Sequence, residues 1–152
     1  MAITAISPHA SMKTYTMKQA CELTGMNYEA LKFYCNSGLV PGVERDQNNR
    51  RIFDERSIAW INGLTCLKQC GLGIKEMQHY TQLCLEGESS IPERKEILAI
   101  KRRALEKKLS EVQDAIDYID RKQTFYDDVL AGKIDYYSNL INPADNCEQP
   151  SS

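Results

Sequence analysis

The feature that most constrains the fold is the stretch 93–131, which contains neither proline nor glycine. These two residues are the strongest helix breakers, so the stretch predicts one continuous helix, roughly 55 Å long at 1.5 Å per residue. Apolar residues recur along it every seven positions, with two more at intervals of four, which is the a/d pattern of a coiled coil. This seam comprises Leu98, Leu105, Leu109, Val112, Ile116, Ile119 and Tyr126.

The length of this helix has a consequence for assembly. The segment before it, residues 13–87, is too small to cover such a helix. A solvated single helix would leave the seam in water, whereas pairing with a second copy would bury it. Arg102 and Gln123 fall in the same register and weaken the seam toward its ends. We therefore predict that residues 88–131 form a dimerising coiled-coil helix.

Two short helices joined by a glycine turn are predicted near the start of the chain. Thr16 is a suitable N-cap for a helix over Met17–Leu23, because its hydroxyl can accept an unpaired amide. Gly25 ends that helix with a left-handed backbone, and Asn27 caps a second helix over Tyr28–Ser37. This is the helix-turn-helix pattern, whose second helix offers its first residues to the major groove of DNA. Taken alone the pattern is weak, since such spacing also occurs by chance.

A hairpin predicted directly after these helices strengthens that interpretation. Val43–Phe53 contains a polar turn at Asp46–Asn49, where asparagine tolerates the positive φ that a hairpin turn needs. It carries Arg45, Arg50 and Arg51. Three exposed arginines could belong to a solvated loop, but beside a helix-turn-helix they are better interpreted as phosphate contacts on a wing.

The rest of the chain completes a mainly α fold: a winged helix-turn-helix domain at residues 13–87, followed by the long helix. Asp54 is predicted to cap a third helix that ends near Cys70, and a fourth is predicted over Ile74–Glu86. Beyond the long helix we predict a short amphipathic helix at residues 132–141. Residues 1–12 are predicted to form a flexible tail, and residues 142–152 are predicted to form a disordered tail.

Candidate DNA contacts follow from residue chemistry. Lys32 and Arg51 are the first choices for phosphate, and the backbone amides at Thr16 and Asn27 are further donors, because helix starts attract anions. Tyr28 and Glu29 are the candidate readers of base edges, since a glutamate can accept from the amine of cytosine; Glu29 could equally be an ordinary surface residue. Phe33 lacks a donor for phosphate, so packing is its expected role.

Charge and composition bound the function classes without deciding among them. The net charge is −2, but residues 13–80 hold nine Lys and Arg against seven Asp and Glu, so a local basic face remains. No apolar run approaches a membrane span, and the first residues lack the features of a secretory signal. The six cysteines contain no Cys-x-x-Cys pair, so they are expected to be free thiols in a reducing cytoplasm. No catalytic set, cofactor motif or convincing metal site is visible, and an enzyme is not expected.

These features resemble one known family over about residues 15–130. The spacing is similar to that of the mercury-resistance-regulator (MerR) family of transcription factors, and GESSIPERKEIL at residues 87–98 resembles its aldehyde- and thiol-responsive branch. Glu29, Phe33 and Arg50 depart from residues that are common in the family. The matching positions are Tyr15-Thr16, Thr24-Gly25, Leu31, Phe33-Tyr34, Gly38-Leu39, Pro41, Arg45, Arg51, Phe53, Trp60-Ile61, Cys66-Leu67, Gly71-Leu72, Ile74-Lys75 and Tyr118-Ile119-Asp120.

The resemblance implies an antiparallel homodimer that distorts promoter DNA, through which RNA polymerase is engaged indirectly. It places Cys66 at the position of the branch's sensing cysteine; the sequence alone is equally compatible with a buried core residue. A different class stays open, in which a coiled-coil dimer with a diverged winged helix serves as a small-molecule or protein-interaction module. Salt-sensitive DNA binding discriminates between the two.

Overall fold

A computed structural model describes residues 13–142 and 144 of this chain. The predicted tails at 1–12 and 142–152 thus lie outside the described residues, apart from Asn142 and Ala144. One compact unit ends at Leu105 and a second begins at Glu106. In order, the elements are β1 (Thr14–Thr16), α1 (Met17–Thr24), α2 (Tyr28–Asn36), β2 (Glu44–Arg45), β3 (Arg51–Asp54), α3 (Glu55–Gln69), α4 (Ile74–Glu86), a 3-10 turn (Glu88–Ser90) and α5 (Ile91–Leu130).

The mainly α, winged helix-turn-helix architecture predicted from the sequence is confirmed. The helix caps are those expected: the Asn27 side chain accepts from the amide of Ala30, and the Asp54 side chain accepts from the amide of Ser57. Gly25 ends α1 at a φ of +72°, a left-handed conformation that suits glycine. Local chemistry therefore fixed both helix starts and the tight turn between α1 and α2.

The wing belongs to a three-stranded sheet in the order β1-β3-β2. Strand β1 was not predicted, because three residues carry too little pattern to identify a strand. It pairs antiparallel with β3, with Thr16 opposite Ile52. The start of α1 is thereby held beside the returning strand of the wing.

One hydrophobic core ties the wing to the helices of the first unit. Its largest fully buried side chains come from α2, the following loop, β3, α3 and α4: Leu31, Leu39, Phe53, Ile61, Leu64 and Met77. Two hydrogen bonds reinforce the exit of α2, since Trp60 Nε1 donates to the Leu39 carbonyl at 2.7 Å and Gln78 Nε2 donates to the Ser37 carbonyl at 2.9 Å. The orientation of α2 is therefore set by α3 and α4.

The first unit continues past residue 87, the predicted domain boundary, into the beginning of α5. Ile97 packs against the core. Lys101 Nζ lies 2.7 Å from Glu76 Oε1, and His79 Nε2 lies 3.0 Å from Glu93 Oε1. These contacts attach the first turns of α5 to α4.

The predicted short helix at residues 132–141 is wrong. Gly132 adopts a φ of +72° and ends α5, and the residues after it form turns and irregular backbone. Ile134, Tyr136, Tyr137 and their polar neighbours are weak helix formers. Packing decides the outcome, because the rings of Tyr136 and Tyr137 contact Phe125 instead of extending a helix. Across the described residues, no helix combines the length and the apolar character that crossing a membrane requires.

Candidate nucleic-acid interface

The exposed face of α2 carries the side chains proposed to meet DNA. Leu31 and Tyr34 are buried in the core, and this fixes the rotation of the helix. Tyr28 and Phe33 are consequently half exposed, at 54% and 51%. Exposed side chains on this helix also include Asn27, Glu29 and Lys32. The first turn of α2 is thus open to a ligand at its amino end.

The hairpin is rigidified by its own polar groups. One carboxylate oxygen of Asp46 accepts from the amides of Asn48 and Arg50, both at 2.9 Å, and Asn49 has the expected positive φ of 59°. Arg45 Nη1 donates to the Asn49 carbonyl at 2.8 Å. The turn therefore holds a defined shape while keeping its arginines on the wing.

A groove joins the wing to the starts of both helices. Its wall brings together five predicted contact residues, namely Thr16, Tyr28, Arg45, Arg50 and Arg51, with Lys18 and Asp46. Four cationic side chains and one carboxylate thus line the groove, and that carboxylate already accepts hydrogen bonds from two amides of the turn. Such a concave, positively charged surface suits a phosphate backbone. Asn27, the cap of α2, lies outside the lining of this groove, as do Glu29, Lys32 and Phe33 on the helix itself.

Thr16 has a different role from the predicted amide donor. Its amide donates to Gln19 Oε1 at 2.9 Å, while its hydroxyl accepts from the Gln19 amide at 3.2 Å. This is a capping box, which satisfies two helix-start donors internally. The Thr16 amide is therefore already paired. The amide of Lys18, second in the helix, is one that α1 itself leaves without an acceptor.

Lys18 is the site residue that the sequence interpretation missed. It is exposed in the first turn of α1 and lines the groove. The available signal was its position two residues after the Thr16 cap, where a side chain stands beside the helix start. Because strand β1 and its pairing with β3 were not predicted, nothing in the sequence indicated that the start of α1 lies beside the wing.

Cys66 is exposed on α3, which excludes the alternative of a buried core residue within this chain. Cys70 lies one turn further along, is partly buried and packs against the core. Within the described residues, no group of three or more His, Cys, Asp and Glu side chains could hold a metal ion. Cys147 lies outside the described residues.

The predicted a/d seam is exposed along its whole length. Leu98 and Leu105 are the least exposed, each at 38%, and Leu109 is the most exposed at 69%. No residue of α5 is buried. Between these limits are Val112, Ile116, Ile119 and Tyr126. An exposed apolar stripe of this kind is typical of a helix that pairs with another.

Comparison with known proteins agrees with this geometry. Residues 15–84 match the model of the MerR HTH family regulatory protein. HiNmlR is a MerR family regulator lacking the sensor domain, and its crystal structure was determined bound to promoter DNA. It is 28% identical to this chain; the aligned residues cover 78% of this chain and 94% of the HiNmlR chain, with a TM-score of 0.66. Residues 15–84 of this chain thus form a helix-turn-helix domain of the MerR family. A putative MerR family regulator from Listeria monocytogenes is 29% identical over 78% of this chain and 89% of its own, with a TM-score of 0.69.

Relatives in sequence are regulators as well. This chain is 36% identical to the HTH-type transcriptional regulator AdhR of Bacillus subtilis over 87 residues, which make up 57% of this chain and 62% of AdhR. It is 29% identical to an uncharacterized HTH-type transcriptional regulator of Haemophilus influenzae, over 74% of this chain and 84% of that protein. The match to AdhR and to HiNmlR supports the predicted branch of the family.

Proposed function

We propose that this MerR-family regulator binds promoter DNA as a homodimer, with the groove between α1, α2 and the wing as its phosphate-binding surface. The observation that carries the proposal is that Lys18, Arg45, Arg50 and Arg51 line one groove, in which the only carboxylate among the lining residues already accepts two backbone hydrogen bonds. The structure of HiNmlR bound to promoter DNA supports it by similarity. Positive side chains at that position release counterions from the duplex and so provide affinity for any sequence.

Sequence discrimination is assigned to the first turns of α2. Tyr28 and Glu29 stand at its exposed amino end, where a helix that enters the major groove reads base edges. Lys32 supplies a further phosphate contact one turn later. Phe33 is half exposed and offers apolar contact only. Base contacts therefore come from α2 and backbone contacts from the wing and α1.

Dimerisation is assigned to the exposed seam on α5, paired antiparallel with a second copy. The seven apolar side chains of the seam gain roughly 1.5–3 kcal/mol each when fully buried. That sum offsets the entropy cost of association. Two groove-bearing domains are then held at a fixed separation, which suits a near-palindromic site.

Regulation would follow from the geometry of this dimer. The two domains distort the promoter, and RNA polymerase then engages the altered spacer; the deformation costs a few kcal/mol, which phosphate contacts at both ends offset. The exposed thiol of Cys66 is the proposed point of response to an electrophile such as an aldehyde, or to thiol stress. The proposal implies that the regulator acts in the cytoplasm, because promoter DNA in bacteria lies there. It assigns the chain a role as a regulator and no enzymatic activity.

A footprint on the promoter region of the neighbouring genes tests this function. We expect protection of a near-palindrome by the purified dimer, with affinity that falls steeply as salt increases. An intact dimer with no salt-sensitive affinity for duplex DNA would select the alternative, an interaction module with a diverged winged helix. Protection that persists unchanged in a monomeric variant would remove the dimer from the proposal.

A further inference from the structure

The compact unit that begins at Glu106 contains a pocket of about 410 Å³. Its volume lies within the range of about 300–1,000 Å³ that is usual for small-molecule sites. The last turns of α5 form one wall and residues 136–140 form the other. All of these side chains belong to one unit, and the proposed DNA-binding role does not use the pocket.

The pocket exists because the chain reverses after α5. Gly132 takes its left-handed φ, and the Lys133 amide donates to the Asp128 carbonyl at 2.9 Å, which turns the following residues back along the helix. The ring centre of Phe125 then lies 4.9 Å from that of Tyr137, edge on, and 6.4 Å from that of Tyr136. Aromatic rings in contact in this way form a preformed wall for a flat ligand.

The charge of the lining specifies the ligand further. Arg121 and Lys122 line the pocket, whereas no acidic residue does. Lys122 Nζ lies 5.8 Å from the ring centre of Tyr118. Neither cation forms an ion pair within the part of the chain that the structure describes. Aromatic walls beside two cations without carboxylate partners are complementary to a ring system that carries a negative charge.

We propose that this pocket binds a small aromatic anion, one or two rings bearing a carboxylate or a sulfonate. Phe125, Tyr136 and Tyr137 contact the rings. Arg121, whose planar guanidinium matches a carboxylate in two-point geometry, holds the anionic group together with Lys122. Binding at this site is reversible and requires no covalent step.

Pairing through the a/d seam leaves most of this site open. With Ile116 at position a and Ile119 at position d, Tyr118 and Phe125 fall at position c and Arg121 at position f, on the outer face of the helix. Tyr126 is the one lining residue that also belongs to the seam. Ligand binding and dimerisation are therefore compatible.

Isothermal titration calorimetry on the full chain, without DNA, tests the proposal with 2-naphthoate as the probe and uncharged 2-naphthamide as its matched control. We expect saturable binding of 2-naphthoate, and binding of the amide that is at least about threefold weaker, because the amide keeps the rings and loses the charge. Arg121→Gln should weaken 2-naphthoate binding by about threefold to fivefold. Lys107→Gln makes the same charge change at another position f, outside the pocket, and should leave the affinity unchanged.

Tyr137→Ala gives an independent test of the ring contacts. It should weaken both probes by about fivefold, while circular dichroism shows the helix content unchanged. Absence of binding heat with 2-naphthoate up to about 1 mM overturns the proposal. A dissociation constant of 1 mM corresponds to a binding free energy of about −4 kcal/mol. So does equal affinity for the two probes, or an equal effect of Arg121→Gln and Lys107→Gln. Since the titration contains no DNA, none of these results bears on the proposed promoter binding.

Discussion

The guanidinium Nη2 of Arg51 donates a hydrogen bond to Asn36 Oδ1, which joins the returning strand of the wing to the last residue of α2. A guanidinium has five N–H donors, so this bond leaves most of them for another acceptor. Arg51 can therefore fix the wing against the recognition helix and contact a phosphate at the same time. The two roles make different predictions.

Replacing Arg51 separates charge from positioning. Arg51→Ala should weaken binding to all DNA sequences and make the slope of log affinity against log salt shallower by about one, since one phosphate contact is lost. Asn36→Ala keeps the charge and removes only the tether, so it should lower affinity by about 1 kcal/mol or less without changing the slope. Fluorescence anisotropy at several salt concentrations measures both. An unchanged slope in Arg51→Ala would take Arg51 off the list of phosphate contacts.

Glu29 is expected to read a base. Glu29→Ala should relax discrimination at one cytosine of each half-site, worth about 1–3 kcal/mol, while affinity for other positions changes little. Competition gel shifts against single-base variants of the operator measure this. Glu22→Ala is the matched control, because Glu22 is also an exposed glutamate but lies on α1. Uniform loss across all variants would assign Glu29 a role in folding instead.

The seam predicts how the chain assembles. Ile116→Asp places a carboxylate in the centre of the stripe on both copies. The loss of two apolar contacts, about 1.5–3 kcal/mol each, should weaken dimerisation by roughly two to four orders of magnitude. Sedimentation velocity over a concentration series measures this. Lys107→Asp, at an outer position of the same helix, should remain dimeric; a dimer that survives Ile116→Asp would place the interface elsewhere.

The exposure of Cys66 predicts selective reactivity. Under native conditions N-ethylmaleimide should modify Cys66 several-fold faster than Cys35, because burial raises the pKa of the Cys35 thiol and lowers its thiolate fraction. Peptide mass spectrometry after short exposures measures the two rates. Cys66→Ser should then abolish the response of DNA binding to an electrophile. A response that survives in Cys66→Ser would assign sensing to another group.

The cap of α3 predicts a pH dependence of stability. The hydrogen bond from the Ser57 amide lowers the pKa of the Asp54 carboxyl below its usual 3.8. A depressed folded-state pKa stabilises the fold above the unfolded value and loses that contribution as pH falls through the folded value. Asp54→Ala should therefore cost about 1 kcal/mol at pH 7, with the difference from wild type shrinking below about pH 3.8.

Asp54→Asn serves as the control for this titration. Asparagine is also a good N-cap but has no carboxyl to protonate, so its stability relative to Asp54→Ala should not change over the same interval. Urea unfolding at pH 7, 4 and 3, followed by circular dichroism, compares the three proteins. A constant difference between wild type and Asp54→Ala at all three values would contradict the assignment.

The sequence by itself determined the features that depend on neighbours along the chain. Thr16 and Asn27 start helices through their own side chains, Gly25 turns the backbone, and the seven-residue repeat on α5 predicts the seam. These are contacts across three or four residues, so a short stretch of sequence contains all the partners. The family could be predicted as well, because it too is defined by such local spacings.

Only the tertiary structure decided what lies beside what. Strand β1 exists because β3 supplies its hydrogen bonds from far along the chain, and that pairing brings Lys18 to the arginines of the wing. Residues 132–141 turn back because Tyr136 and Tyr137 gain more from contact with Phe125 than from weak helical propensity. Cys66 is exposed because the core covers other faces of α3. Each outcome depends on packing between distant segments, and no local pattern contains that information.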